Sequence, residues 1–486
     1  MRKATSRRKV SNSLTRLMRA QKEPSVARVS GLHAYIAVVL FGLLLLVVWH
    51  SATLLLRGVP PSMPQTLSRI GIVFVVGYVL VRVAGLGRLE RKALFTVGVA
   101  GVIVVSFAFF ARHVLKWDVM VSPAVGFGVV AVQFMGVGQV SLVGLLVGLS
   151  CGSFVEGLSF GAGAATAALI GRKIDTRTKT VFAGALGGVA QTAVLLLLTL
   201  ATVDGWTPKR LALRVAWSLG GGVGWGLLMT GVLPFIERIF NLATPMRLRE
   251  LADLNQPFFR RFLLEAPGTY HHSVLVGSLA EAAADVVGAD PLLARVGGYY
   301  HDIGKLTKPT YFAENIHGQS RHEKLSPPMS ALVIVSHVRD GVEMGKELGL
   351  PQPVVDVIAQ HHGTCVVEYF YYEALKEARA NGSTRVDVAR YRYPGPKPQT
   401  KEAAIVMLAD AVEAASRALK SPSSARVAEL VHELVMRRLL DGQLDESPLT
   451  LREIHKIEQT MTRMLQGLFH TRIPYPSREE TADGVA

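Results

Sequence analysis

The stretch PLLARVGGYYHDIGK, residues 291–305, decides how the chain is read. Asp290 before Pro291 predicts an N-cap followed by a proline in the first helical turn. The run beyond it is apolar at helical spacing and stops near Gly304, so His301 and Asp302 sit where a buried helix ends. A lone His-Asp dipeptide arises by chance in a chain of 486 residues. It acquires meaning from its company. His272 upstream, and His337, His361, His362 and Asp410 downstream, occupy similar settings.

Those settings are helical. His272 opens HSVLVGSLAEAAADVVG, an alanine-rich run that closes at Gly288. Ser326-Pro327 starts a segment leading to ALVIVSHV with His337, and Pro353 starts PVVDVIAQHH, closing at Gly363. Lys401 to Leu419 carries Asp410 inside an alanine and leucine stripe. Strand patterns are scarce, so this half is expected to be all-α.

Each of the seven side chains points toward a helix bundle. One buried histidine there is more often a hydrogen-bonded core residue than a ligand. Five histidines and two aspartates buried without partners are prohibitive, and metal ions satisfy them together. Mixed imidazole and carboxylate donors suit manganese, iron, nickel or zinc. Two ions a few ångströms apart polarise a phosphate and supply hydroxide at neutral pH, the chemistry of phosphoester hydrolysis without a covalent enzyme intermediate.

Upstream, composition changes. The chain is half hydrophobic, and nearly all of the excess lies before residue 240. Residues 1–31 carry nine Lys or Arg against one acid, Glu23, and a continuous apolar run from Leu32 to Leu56 follows. That run is long enough to span a bilayer and too long for a cleaved signal peptide. Further runs lie at about 69–86, 93–111, 119–137, 139–154, 157–171, 180–203 and 213–236, which makes about eight spans. The loops GRLERK (87–92) and RKIDTRTK (172–179) carry excess positive charge and favour both termini inside. Glu156 and Arg82 are the ionisable residues nearest the spans, which argues for an anchoring or sensing bundle over a transport pathway. The basic N-terminus reads as a topology signal, and no nucleic-acid polymer is expected as a partner. Two cysteines, Cys151 and Cys365, make no disulfide framework and fit a reducing compartment.

Between the halves, Thr244-Pro245 reads as another N-cap and first-turn proline, with Leu248, Leu251 and Leu254 at helical spacing. The expected organisation is a basic segment 1–31, a transmembrane region 32–236, an amphipathic connector 237–270, a hydrolase domain 271–473 and a disordered tail 474–486.

The ordered pattern H…HD…H…HH…D resembles the HD-domain metal-dependent phosphohydrolases. The longer motifs EAPGTYHHS, YYHDIGK, HEKLSP, SHVRDG, QHHGT, RYPGPKPQ, MLADAVEAASR and DGQLDE look like the membrane-bound cyclic di-AMP phosphodiesterases of the PgpH, seven-transmembrane HD type. The resemblance covers residues 237–475 and, in layout, the seven spans after the first. It implies metal ligation by His272 (the histidine followed by Ser273), His301, Asp302, His337, His361, His362 and Asp410, with Asp302 bridging two divalent ions, Mn2+ or Fe2+. It also implies hydrolysis of cyclic di-AMP to linear pApA, with attack of hydroxide on one phosphodiester. Asp302 and Lys305 are the catalytic candidates; Lys305, Arg392 and Lys397 are candidate substrate contacts. His317 and His322 show no ligand spacing and are left out.

One departure stands out. Family members carry a large extracytoplasmic domain after the first span, and here residues 57–68 fill that place, so control by an extracellular ligand is not expected. The partners expected are the cyclic dinucleotide, the lipid bilayer and a second copy of the chain as a homodimer, at the inner cell membrane with both termini cytoplasmic. The rivals are an HD hydrolase of cyclic di-GMP, ppGpp or a dNTP, or a non-catalytic nucleotide-binding sensor. The sequence HHGT without a GYP tripeptide argues against the cyclic di-GMP branch.

Overall fold

The computed structural model describes residues 103–469 except 105, 109, 113–114, 116, 134–135, 152–153, 173, 203–205, 317, 382–384 and 420–422. The expected basic segment, the runs at 32–56 and 69–86, Arg82, the 57–68 segment, the loop at 87–92, most of the 93–111 run and the tail lie outside the described residues. Two compact units divide the chain, Met1–Phe235 and Ile236–Ala486.

In the first unit the 119–137 run does not form one helix. Val119–Val121 is a 3-10 turn whose N-cap, Asp118, accepts from the Met120 amide. Ser122-Pro123 follows, and α1 (Ala124–Ala131) is only eight residues long, about 12 Å at the α-helical rise. Proline has no N–H to continue the ladder, so nearby carbonyls need other donors. Gln191 Nε2 supplies one to Met120 O at 2.9 Å, and Trp225 Nε1 supplies one to Val121 O at 2.7 Å. Then come α2 (Val137–Cys151), α3 (Phe154–Gly171), α4 (Arg177–Thr202) and α5 (Pro208–Phe240). Among the described residues three helices are long and apolar enough to cross a bilayer: α3, α4 up to Ala201, and α5. Helices α4 and α5 meet through glycines. A Cβ on Gly184 would lie 2.5 Å from the Gly222 carbonyl oxygen, so only glycine permits that approach.

Glu156 is placed in the first turn of α3, and it is paired. Arg214 Nη2 lies 2.5 Å from its carboxylate, and Arg214 Nε lies 3.3 Å from Asp118. A charge neutralised in this way is a packing element of an apolar bundle.

In the second unit the helices are α6 (Pro245–Leu251), α7 (Pro257–Glu265), α8 (Pro267–Val286), α9 (Pro291–Tyr300), α10 (Pro327–Glu347), α11 (Gln352–Gln360), α12 (Glu368–Ala380), α13 (Lys401–Ser416), α14 (Ser424–Leu440) and α15 (Leu451–Phe469). Caps explain several starts. Thr244 accepts from the Arg247 amide, Asp290 from those of Leu292 and Leu293, and Thr400 from that of Ala403. The isolated bridge Val366–Arg392 is the one β pairing among the described residues, so both units are helical. Helix α8 begins at Pro267, five residues before His272, because Ala266-Pro267 supplies a first-turn proline. His272 is therefore inside a helix and not at its start.

Two apolar clusters build this unit. One joins α8, α13, α14 and α15 through residues such as Val276, Leu408, Val431 and Ile457. The other joins α6, α7, α9 and α11 through Leu248, Phe262, Tyr300 and Ile358. Helix α9 touches α8, α11 and α13, so the His-Asp doublet at its end faces three neighbours at once. The stretch after α5 packs directly on this helix: Phe258 stacks on Tyr300 with ring centroids 5.4 Å apart, and the Tyr300 hydroxyl donates to Leu251 O.

Candidate metal centre

Two helix ends and three helix interiors bring the seven side chains together. His301 and Asp302 follow α9, His361 and His362 follow α11, His337 lies within α10, His272 within α8, and Asp410 within α13. His272, His301, Asp302, His337, His361 and Asp410 are buried, and His362 is partly exposed.

Asp302 lies at the middle. Its Oδ1 faces His337 Nε2 at 3.2 Å and His361 Nε2 at 3.7 Å. Its Oδ2 faces His301 Nε2 at 3.2 Å and His272 Nε2 at 3.6 Å. Asp410 completes one side, with Oδ1 3.1 Å from His272 Nε2 and 3.8 Å from His301 Nε2; its Oδ2 lies 3.6 Å from His362 Nδ1. Two sets with metal-ligand spacing result, Asp302 with His337, His361 and His362, and Asp302 with His272 and His301.

The rings are aimed by their far nitrogens. Nδ1–H of His301 donates to Gly298 O at 2.7 Å, that of His337 to Ile334 O at 2.6 Å, and that of His361 to Ile358 O at 2.8 Å. Each acceptor is three residues earlier in the chain, so a helix turn sets the ring and leaves Nε2 toward the centre. His272 is different: its Nδ1–H donates to the buried carboxylate of Glu413. His362 presents Nδ1 inward and stacks on the Tyr393 ring at 4.2 Å between centroids.

The donor set fits metal. His301 Nε2 is buried without a hydrogen bond, and neither Asp302 oxygen has one of good geometry although Lys305 Nζ lies 2.7 Å from Oδ2. Such groups are costly to bury unless an ion satisfies them. Burial opposes ionisation of Asp302, yet the neighbouring His301 and Lys305 hold its carboxyl well below the ordinary range. Burial likewise opposes ionisation of Asp410, and the bond to His272 with the fields of His362 and His301 outweighs it. Burial pushes His362 well below, and His361 below, the ordinary histidine value, so both rings are neutral donors. For His272 burial also favours the neutral ring, but the carboxylates of Asp410 and Glu413 prevail and raise its pKa to about 9.

A pH dependence follows. His272 carries a proton between two carboxylates at neutral pH, and an ion at Nε2 must displace it. Manganese affinity should therefore climb about tenfold per pH unit as pH rises toward 9, the slope for one displaced proton. Calorimetric titration from pH 6.5 to 8.5 checks this; an affinity flat across that range would contradict it.

Lys305 is partly buried and doubly paired, to Asp302 and to Glu314 Oε1 at 2.8 Å. Burial favours the neutral amine, but those two carboxylates raise its pKa and keep it an ammonium. Glu314 in turn accepts from the Thr269 hydroxyl at 3.0 Å. Arg392 and Lys397 make no hydrogen bond or ion pair with the seven. Arg392 donates to Thr364 O at 2.7 Å and so pins the turn after His361-His362, while Lys397 lies 3.4 Å from Asp445. Backbone bonds from Tyr393 N to Cys365 O and from Val367 N to Tyr391 O hold the same strip in place. His322 Nε2–H donates to Tyr311 O at 2.8 Å, away from the ligands, and His317 lies outside the described residues. Glu413 and Tyr393 escaped the sequence reading. A signal for Glu413 existed in its spacing: it follows Asp410 by three, on the same helix face.

Comparison with known proteins fits this geometry. Residues 269–415 match the HD domain family, and residues 32–244 match the family described as 7TM receptor with intracellular HD hydrolase. The chain is 42% identical over 317 residues to the cyclic-di-AMP phosphodiesterase PgpH of Listeria monocytogenes, covering 65% of this chain and 44% of that protein. It is 36% identical over 362 residues to the Bacillus subtilis protein of the same name, covering 72% of this chain and 50% of that protein. The chain thus spans about half the length of the curated relatives it matches. A crystal structure of the L. monocytogenes PgpH HD domain in complex with cyclic di-AMP is 46% identical, with a TM-score of 0.42, covering 45% of this chain and all of that one. The match of the apolar half to a seven-transmembrane family, with three candidate spans among the described residues, makes this an integral membrane protein.

Proposed function

The chain belongs to the membrane-bound HD-domain hydrolases of the seven-transmembrane receptor type, and on that premise we propose that it cleaves cyclic di-AMP to linear pApA. The observation that carries the proposal is the division of Asp302. One oxygen faces His337 and His361 and the other faces His272 and His301, an arrangement suited to bridging two divalent ions. The mixed nitrogen and oxygen donors suit Mn2+ or Fe2+. Bound ions of this kind supply Lewis acidity toward a phosphodiester.

The protein's own contribution is positioning. Ligand rings are fixed by their outward hydrogen bonds before substrate arrives, which avoids reorganisation during the reaction. Lys305 holds Asp302 and Glu314 in place and adds positive charge beside the phosphate position. The proposed layout keeps the connector at 237–270 and the hydrolase domain from 271 to 473, with both termini cytoplasmic at the inner membrane. The basic residues Arg172, Lys173, Arg177 and Lys179 of the 172–179 stretch support that orientation.

The substrate assignment is tested with the full chain in detergent, loaded with Mn2+ or Fe2+ and offered cyclic di-AMP, cyclic di-GMP, ppGpp and a dNTP in parallel. Conversion of cyclic di-AMP to pApA ahead of the others is expected. Cleavage of another nucleotide while cyclic di-AMP survives would overturn the assignment. Lys305→Met should cost on the order of 3 kcal/mol of stability, because two buried carboxylates lose their partner. Thermal melting of that variant beside wild type reads the loss, and an unchanged melting temperature would remove Lys305 from the positioning role.

A further inference from the structure

We infer that Glu413 is a positioning residue for one of the two ions, the one on the His272, His301, Asp302 and Asp410 side. The inference rests on the two-ion reading above. Its starting point is an asymmetry among the inward-facing rings. His301, His337 and His361 are each set by a carbonyl of their own helix turn. His272 has no such bond: its Nδ1–H goes to a carboxylate 141 positions away in sequence.

That carboxylate is built in. Glu413 is 2% exposed, and its second oxygen is held by Arg417 Nε at 2.7 Å. Asp410, Glu413 and Arg417 follow one another at spacings of three and four along α13 and share a face. Asp410 meets the inner nitrogen of His272 while Glu413 meets the outer one. One helix therefore supplies a ligand and also orients its neighbour. A buried carboxylate on the outer nitrogen makes His272 a stronger electron donor and fixes its rotation, whereas a carbonyl does only the second with comparable firmness. The two ion positions consequently differ. One has Asp302, Asp410 and a carboxylate-backed histidine; the other has Asp302 and three histidines.

The consequence is a selective loss. In the full chain in detergent, manganese uptake measured by calorimetry should show two ions per wild-type chain. In Glu413→Ala one ion should bind as in wild type and the other about 10 to 100 times more weakly. Glu413→Gln keeps an oxygen for Nδ1–H without the charge, and should fall between the two. The electron paramagnetic resonance signal of a coupled manganese pair should fade in Glu413→Ala at metal levels that preserve it in wild type. Circular dichroism identifies any variant that fails to fold, and Glu413→Gln then carries the test. Equal affinities in wild type and Glu413→Gln, or equal weakening of both ions, would overturn the inference. A wild-type chain that binds fewer than two ions would sink the two-ion reading along with it, so the two failures are told apart by the wild-type titration.

Discussion

Asp302→Asn is expected to abolish turnover, by at least about a thousandfold, while leaving the helices folded. The amide is nearly the same size but loses the charge and one of the two acceptor oxygens. His301 and His337 both lie 3.2 Å from the carboxylate, on opposite oxygens, so a single substitution reaches both metal sets. The histidines do not have that reach: His272 and His301 stand on one side, His337 and His361 on the other. The variant should therefore lose metal more completely than His337→Ala, which leaves the His272 side intact. Metal content by elemental analysis, with circular dichroism for the fold, separates this result from general unfolding. A variant that kept two ions and a tenth of the rate would remove Asp302 from the bridging position.

Gly304→Ala should be among the most damaging single methyl additions in the hydrolase unit. A Cβ at Gly304 would lie 1.9 Å from the His337 carbonyl oxygen and 2.4 Å from the Gly341 amide nitrogen. Both obstacles are backbone, so no side chain can rotate away, and the turn after Asp302 must part from α10. The expected cost is about 3 kcal/mol or more, at the upper end for overpacking. Activity should fall further than stability, because the parting separates His337 on α10 from Asp302, two residues before Gly304. A thermal melt with a parallel assay checks this. A melting temperature within a degree of wild type would show that the turn and α10 are not in the close contact described.

The ligand positions could be read from sequence because their helices are marked out by proline, glycine or N-cap residues, and four of the seven lie just past such a helix end. Asp290-Pro291 announced its helix, and the structure starts α9 at Pro291. Where such punctuation misled, the physics is visible. His272 looked like a helix start, but Pro267 opens α8 earlier. The 119–137 run looked like a single span because its residues are uniformly apolar. Only Ser122-Pro123 hinted at the break, and the donors that stabilise it, Gln191 and Trp225, are 71 and 104 positions away. Arg214 drew no attention at the edge of an apolar run, since nothing local pairs it with Glu156 and Asp118. Glu413 read as one more polar residue in an alanine-rich helix, because its partner His272 lies on another element. Long-range polar pairing is the part of the site that hydrophobic periodicity does not encode.

Arg392, a candidate substrate contact beside a proline-rich loop, also bonds the Thr364 carbonyl through its guanidinium and so holds the turn after His361-His362.

In the proposed reaction the seven ligands hold two ions that together cleave cyclic di-AMP. The direct measurement is pApA formation by the chelator-stripped full chain as Mn2+ is added back in known equivalents. The account predicts no product without metal and a rate that rises to a plateau at two equivalents per chain. Full activity in the stripped protein, or no pApA at any manganese level, would contradict it.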